Sequence, residues 1–248
     1  MNFRTVSLIL SNRLICHHYN RPLYNRSIMA DQKPAGGIVS AILISNGVSV
    51  LLFILRVIGT SNSTYWFMFW NLFLAWVPLG FAWILNRELK TKSWRQPLPV
   101  GLTLLWLLFL PNSFYMISDL VHLQSTGDIG ILFDVVLFMS FIWNGILGGF
   151  LSMGIIHRAL VRRTERLNAH LLMSGVVLIN SFAIYLGRTL RWNSWDVVAN
   201  PGGLLFDVSE RVINPLGHPQ AFVTTATFFL LLGSIYLVAW QLANNKPR

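Results

Sequence analysis

Six long runs of apolar residues divide the chain, and each is long enough to cross a bilayer as a single helix. The runs are continuous, which favours helices and excludes the two-residue alternation of an outer-membrane barrel. The expected spans are about 37–58, 65–85, 98–118, 131–156, 171–190 and 220–240. This pattern predicts an all-α, polytopic membrane protein with six transmembrane helices.

The segment before the first span is basic and polar, so residues 1–35 are predicted to be disordered. Met29 opens a stretch that resembles an ordinary start, and residues 1–28 are therefore interpreted as an upstream extension. Residues 36–242 are expected to form one membrane domain, followed by a tail at 243–248.

Composition agrees with a membrane location, since 54% of the residues are hydrophobic and only 11% are charged. Soluble domains carry about 25% charged residues. In a soluble protein, a net charge of +10 would favour binding to nucleic acid. Here most of the basic residues lie in the segments outside the membrane spans, so the charge is interpreted as a sign of topology. Membrane lipids are the expected partners. The sequence indicates no nucleic acid and specifies neither a cofactor nor a protein partner.

The basic residues alternate from one side of the spans to the other. The N-terminal segment, residues 86–97, residues 157–170 and the C-terminal tail hold 15 of the 19 Lys and Arg. The opposite side holds the other four Arg and six of the nine acidic residues. Because cytoplasmic loops are enriched in Lys and Arg, both termini are predicted to be cytoplasmic. The expected location is the bacterial plasma (inner) membrane, crossed several times.

The third span ends in a polar stripe, in the stretch LLFLPNSFYMISDLVHL at 107–123. Asn112, Tyr115, Asp119 and His122 are spaced three, four and three residues apart, so a helix places them on one face. Unpaired polar groups are costly in hydrocarbon, so the stripe predicts either paired side chains or an outward-facing polar pocket.

Other polar residues are expected near this stripe, because their helix ends emerge on the same side. Asp134 lies in the first turn of the fourth span. Arg188 lies near the end of the fifth span, which is followed by the sequence RWNSWD at 191–196. Asp119 and His122 are the candidate catalytic residues. The candidate ligand-binding residues are Asn112, Tyr115, Asp134, Tyr185, Arg188, Arg191, Trp192, Asn193, Trp195 and Asp196.

Two motifs carry a family resemblance. NSFYMISDLVHL, followed roughly 65 residues later by LGRTLRWNSWD, resembles the bacterial integral-membrane family named domain of unknown function 1361. The resemblance extends from about Ala35 to Trp240. It implies a six-span inner-membrane protein with these motifs as its shared core, and it implies no activity.

Several interpretations of the polar residues remain open. In a structural interpretation, Asp119 pairs with Arg188 or Arg191, Asp134 pairs with another arginine, and the tryptophans anchor the interface. In a binding interpretation, the planar arginine fork holds a phosphate or carboxylate, such as a lipid headgroup or an isoprenoid phosphate. In an enzyme of that kind, the flanking Asp119 and His122 act as base and acid.

Two further interpretations use the same stripe. Asp119 and His122, with Asp128 or Asp134, offer carboxylate and imidazole ligands for a divalent metal. This ligand set contains only one His, His122. The Pro111–Asn112 break resembles the interrupted helices that mark many transporter sites. The chemistry of the stripe therefore stays undecided between structure, binding, catalysis and transport.

The remaining features are interpreted structurally. Arg56 is expected to extend outward from the end of its span, and His157 to be solvated. Gly145 and Gly149 have the spacing that permits close helix packing. Residues 204–214 have one apolar and one polar face, which predicts an interfacial amphipathic helix.

The charge distribution predicts the outcome of a topology experiment. A reporter fused after Gly127, between the third and fourth spans, is expected to be active only outside the cytoplasm. A reporter fused after Arg162 is the matched control and is expected to report the cytoplasm. A cytoplasmic signal at Gly127 would contradict the predicted orientation of all six spans.

Overall fold

The computed structural model describes residues 36–123 and 130–244, and the regular elements within these ranges are all helical. The predicted disordered segment at 1–35 and Asp128 lie outside the described residues. The α-helices are α1 (Gly36–Thr60), α2 (Phe67–Glu88), α3 (Pro97–Tyr115), α4 (Ile131–Val161), α5 (Arg166–Thr189), α6 (Asp196–Ala199), α7 (Pro201–Ile213) and α8 (Pro219–Asn244). Short 3-10 helices occupy Thr64–Trp66, Met116–His122 and Pro215–Gly217.

Six of these elements are long and apolar enough to cross a membrane, which confirms the six-span, all-α prediction. They cover Ser40–Thr60, Thr64–Glu88, Pro97–His122, Ile131–Val161, Arg166–Thr189 and Pro219–Asn244. Among the described residues, 36–41 belong to a separate unit, so the packing described below concerns residues 42–123 and 130–244.

Small residues bring α2, α3 and α4 close together. Helix α4 approaches α3 so closely at Gly145 and Gly149 that a side chain at either position would clash. A Cβ added to Gly149 would lie 2.8 Å from the Ser113 Cβ, and one added to Gly145 would lie 2.9 Å from the Ser113 carbonyl oxygen. The Ser113 hydroxyl in turn donates a 2.7 Å hydrogen bond to the Ala75 carbonyl. The glycine spacing in the sequence therefore serves close helix packing, as predicted.

A buried ion pair joins α1 to α4. Arg56 Nε donates to Asp134 Oδ1 at 2.7 Å and Nη2 donates to Oδ2 at 3.3 Å, and both residues are at most 1% exposed. Arg56 also donates to the Asn62 carbonyl at 3.0 Å and lies 4.2 Å from the centre of the Tyr65 ring. The prediction that Arg56 extends outward is wrong, because a carboxylate on another helix satisfies its fork inside the protein.

His157 is buried as well, so the prediction that it is solvated is also wrong. Its Nδ1 lies 2.7 Å from the Tyr236 hydroxyl, and its ring stacks on Trp240 with the ring centres 3.6 Å apart. Because both aromatic residues belong to α8, only the folded chain brings them to His157.

The third span is longer than predicted. It was expected to end at Ser118, but the chain continues without a break from α3 into the 3-10 helix Met116–His122. The helix predicted within 204–214 is present as α7. Its Phe206 and Val212 are exposed while Arg211 is buried, so the polar face of α7 is turned toward the protein.

Loss of one member of the buried ion pair is expected to destabilise the fold. Asp134→Ala leaves the Arg56 guanidinium charged and unpaired, which costs about 3–5 kcal/mol of unfolding free energy. Denaturant unfolding of the detergent-solubilised protein measures this loss. The control is Glu88→Ala, which breaks the exposed Lys92–Glu88 pair and is expected to cost less than about 1 kcal/mol. Equal stability of the two variants would contradict a structural role for the buried pair.

Candidate functional site

A cavity of about 740 Å³ lies between α2, α3 and α5. Five parts of the described chain line it. The segment before α2 contributes Asn62, Thr64 and Tyr65. Helix α2 contributes Phe67, Trp70, Asn71 and Leu74. Helix α3 with its extension contributes Leu108, Pro111, Asn112, Tyr115, Asp119 and His122. Helix α5 contributes Ala183, Leu186, Gly187 and Arg188, and the following segment contributes Trp192–Trp195, Val197 and Leu204.

The polar stripe of the third span faces this cavity. Asn112, Tyr115, Asp119 and His122 all line it, although the helix tightens to 3-10 geometry from Met116 onward. Side chains three residues apart eclipse one another in a 3-10 helix, so Asp119 and His122 remain in line. The predicted common face therefore survives the change of helix type.

Asp119 joins the three helices around the cavity. Its side chain is 2% exposed, and Oδ2 accepts a 2.8 Å hydrogen bond from Asn71 Nδ2 on α2. Its Oδ1 lies 3.6 Å from Arg188 Nη1 on α5. A buried carboxylate without such partners would be strongly unfavourable, so the three residues hold one another in place.

Arg188 is held on one side and open on the other. Its Nη1 donates to the Tyr115 hydroxyl at 3.2 Å, and its Nη2 donates to the Ser118 carbonyl. The guanidinium also lies 5.4 Å from the centre of the Tyr115 ring. The side chain is 21% exposed, and a guanidinium has five N–H donors. Part of the fork is therefore available to a ligand in the cavity.

The segment after α5 folds back over the cavity through a tight turn. Arg191 adopts a φ of 62°, and the Trp192 backbone N–H donates to the Leu186 carbonyl at 3.2 Å. A Cβ on Gly187 would lie 3.3 Å from Tyr115 Cε2 and 3.4 Å from the Trp192 carbonyl oxygen. Glycine at this position leaves room for the segment to return across the end of α5.

Ser194 attaches that segment to α3. Its hydroxyl donates to the Leu108 carbonyl at 2.9 Å and accepts from Asn112 Nδ2 at 3.0 Å. Pro111 lies beside these contacts and lacks the N–H that would bind a carbonyl one turn earlier. Helix α3 nevertheless continues through Pro111 to Tyr115, so the predicted break at Pro111–Asn112 is wrong, and Ser194 of the RWNSWD motif contacts an unbroken helix.

A second set of contacts anchors α7. Trp192 Nε1 donates to Asp207 Oδ2 at 2.7 Å, and Arg211 Nη1 donates to Asp207 Oδ1 at 3.0 Å. The Tyr185 side chain interacts with Arg211. The polar face of α7 therefore supports the segment that covers the cavity.

Not every predicted site residue lines the cavity. Asp134 is paired with Arg56, Tyr185 is buried next to Arg211, and Asp196 accepts from the Asn193 backbone N–H at 2.7 Å. These three support the surrounding structure. Arg191 instead lines an adjoining hollow of about 640 Å³ that also includes Arg188, His122 and Gln220.

Five polar residues of the cavity lining were missing from the predicted site, namely Asn62, Thr64, Tyr65, Asn71 and Ser194, and the last two make contacts that shape the cavity. Asn71 holds Asp119, and Ser194 connects the segment after α5 to α3. Asn71 is an amide within an apolar span, and such residues mark polar interactions in membrane helices. That signal was present in the sequence, whereas the role of Ser194 depends on the fold.

The described residues contain no group of three His, Cys, Asp or Glu side chains placed to hold a metal ion. Asp119 and His122 line the same cavity, but Asp134 is committed to Arg56. Asp128 lies outside the described part of the chain. Within the described chain, the hydrogen-bond and ion-pair partners of Asp119 are the Asn71 amide and the Arg188 guanidinium.

The polar end of the cavity holds Asp119 and Arg188. Leu74, Leu108 and Ala183 also line the cavity and lie three to eleven residues along their helices from Asn71, Asp119 and Arg188 respectively. Trp70 and Trp195 also line the cavity and are 55% and 48% exposed. The cavity therefore reaches the apolar outer surface of the helices at its rim.

Comparison with known proteins places the chain in a family. The model of the family described as protein of unknown function DUF1361 matches residues 70–235, which include nearly all of the cavity. No curated protein and no solved structure matches the chain. Because the family match covers more than half of the sequence, the protein belongs to the family described as protein of unknown function DUF1361.

Proposed function

We propose that this protein binds a lipid-like or small amphiphilic ligand with an anionic headgroup in the cavity between α2, α3 and α5. The proposed setting is the bacterial inner membrane, with both termini cytoplasmic and the polar end of the cavity facing outward. The observation that carries the proposal is Arg188, whose partly open guanidinium lies in a cavity lined by both polar and apolar side chains.

Charge at the polar end favours an anion. Asp119 is the carboxylate among the residues that line the cavity. Its negative charge is balanced by Arg188, and its Oδ2 accepts a hydrogen bond from Asn71. Arg191 is exposed in the adjoining hollow and adds a second guanidinium. Arginine binds phosphate and carboxylate groups through parallel N–H donors, so an anionic headgroup fits this end.

The other end of the cavity fits the hydrocarbon part of an amphiphile. Its lining includes Leu74 and Leu108, and the exposed rings of Trp70 and Trp195 border the rim. Tryptophan is enriched where a membrane protein meets the headgroup level of the bilayer. A volume of about 740 Å³ is also within the range of small-molecule pockets. These features support lateral entry of a lipid from the bilayer.

A second candidate function is an enzyme acting on a phosphate-bearing lipid or isoprenoid. It is favoured by His122, which lines the cavity and makes no side-chain hydrogen bond with the described residues. An imidazole is the side chain that most often serves as a general acid or base in enzymes. Asp119 is less suited to proton transfer because Asn71 and Arg188 occupy its oxygens. In such an enzyme, Asp119 would position Arg188 while His122 exchanges the proton.

The binding proposal predicts different effects for two conservative substitutions. Arg188→Lys keeps the charge but loses the planar fork, so it is expected to weaken binding of phosphatidylglycerol about tenfold, or about 1.4 kcal/mol. Arg191→Lys is the matched control, because Arg191 is an exposed residue of the adjoining hollow. It is expected to change the dissociation constant by less than about twofold. Titration of lipid into the detergent-solubilised protein, followed by its melting temperature, measures both constants.

The melting temperature without added lipid shows whether each variant is folded. Unchanged lipid binding by a folded Arg188→Lys protein would overturn the proposed role of the cavity in anion binding. An equal loss in both variants would contradict a site centred on Arg188, because Arg191 lies in the adjoining hollow and not in the cavity lining.

A further inference from the structure

The donors and acceptors of the cavity point to the headgroup chemistry. Resting on the proposed function, we propose that the ligand carries one or more hydroxyl groups beside its phosphate, as in a polyol phosphodiester lipid. Two asparagine side chains and one tyrosine carry this inference, and each has its orientation set by a neighbour of known hydrogen-bonding character.

Asn71 presents an oxygen to the cavity. Its Nδ2 donates to Asp119 Oδ2 at 2.8 Å, and this carboxylate, paired with Arg188, serves as an acceptor. The amide therefore cannot be reversed without placing two oxygens against each other. Its Oδ1 consequently points away from Asp119 and accepts no hydrogen bond from the described residues.

Asn112 is oriented in the same way. Its Nδ2 donates to the Phe109 carbonyl at 3.0 Å, which is an acceptor only, and also to the Ser194 hydroxyl. Its Oδ1 accepts nothing from the part of the chain that the structure describes. The described side-chain atoms that are sealed from solvent without a partner are His157 Nε2, Asn180 Oδ1 and Arg211 Nε. Neither of the two amide oxygens is among them, so both are accessible to solvent, and both residues line the cavity.

Tyr115 supplies the complementary donor. Its hydroxyl oxygen accepts from Arg188 Nη1 at 3.2 Å, so its own O–H hydrogen is available to another acceptor. Together with the open part of the Arg188 fork, it suits a phosphate oxygen. Asn112 lies one helical turn from Tyr115, which separates their side chains by about 5–6 Å. A phosphate and a hydroxyl on the same short polyol can reach both positions.

Hydroxyl groups fit the two amide oxygens better than an ammonium group does. Both hydroxyl and ammonium groups donate hydrogen bonds, but an ammonium group would enter a region that already holds Arg188 and, nearby, Arg191. The charge of Asp119 is already compensated by Arg188. Neutral acceptors beside a cationic fork therefore match a headgroup that is anionic at phosphate and neutral at its hydroxyls.

Three phospholipids with identical acyl chains test this inference on the full-length protein. Phosphatidylglycerol and phosphatidylethanol share one negative charge and a phosphodiester, but the ethyl group has no hydroxyl. Phosphatidylethanolamine replaces the hydroxyls with an ammonium group. Phosphatidylglycerol is expected to bind about tenfold more tightly than phosphatidylethanol, because unpaired polar groups in the site penalise the ligand that lacks their partners. Asn112→Ala is expected to reduce that ratio to about twofold or less.

The outcomes separate this inference from the proposed function. Equal binding of phosphatidylglycerol and phosphatidylethanol, both weakened by Arg188→Lys, would overturn the hydroxyl requirement and leave the anion site standing. Tightest binding of phosphatidylethanolamine would overturn it in favour of an ammonium group. Binding of none of the three lipids would overturn the proposed function itself. A folded Asn112→Ala protein that retains the full preference would show that this amide does not read the headgroup.

Discussion

The arrangement of the cavity depends on the buried carboxylate of Asp119. It lies where α2, the extension of α3 and α5 meet, and it receives Asn71 from one side and Arg188 from the other. An ionised carboxylate in an apolar interior is stable only with such partners. The same contacts determine which way the Asn71 amide points and how much of the Arg188 fork stays open. One buried charge thus sets both the packing of three helices and the chemistry offered to a ligand.

The two acid–arginine pairs between helices differ in a way that separates structure from function. Arg56 and Asp134 bind each other through two hydrogen bonds, and neither is exposed by more than 1%. They hold the loop that includes Asn62 against α4, and this loop borders the cavity. Asp119 and Arg188 are 3.6 Å apart, and Arg188 reaches the cavity. The buried Arg56–Asp134 pair stabilises the helices around the cavity, while the wider spacing of the Asp119–Arg188 pair leaves part of the Arg188 guanidinium open to the cavity.

Features with a period within one helix could be predicted from the sequence. The six apolar spans, the amphipathic pattern of α7 and the common face of Asn112, Tyr115, Asp119 and His122 all have this origin. Contacts between helices could not be predicted in the same way, because spacing along one helix contains no information about the partner helix. Arg56 and His157 illustrate the limit, since each is buried by residues about 80 positions further along the chain. Asp134, Tyr185 and Asp196 were predicted to bind a ligand, but they do not line the cavity and instead contact Arg56, Arg211 and Asn193.

Native mass spectrometry of protein released directly from membranes shows whether the cavity retains the proposed anionic, hydroxyl-bearing lipid. No lipid is added, so any bound species was retained through extraction. We expect one predominant adduct with the mass of a polyol phosphodiester lipid, strongly reduced in Arg188→Lys and retained in Arg191→Lys. An adduct of zwitterionic lipid, or the same adduct at equal level in Arg188→Lys, would show that the cavity does not select such a lipid through Arg188.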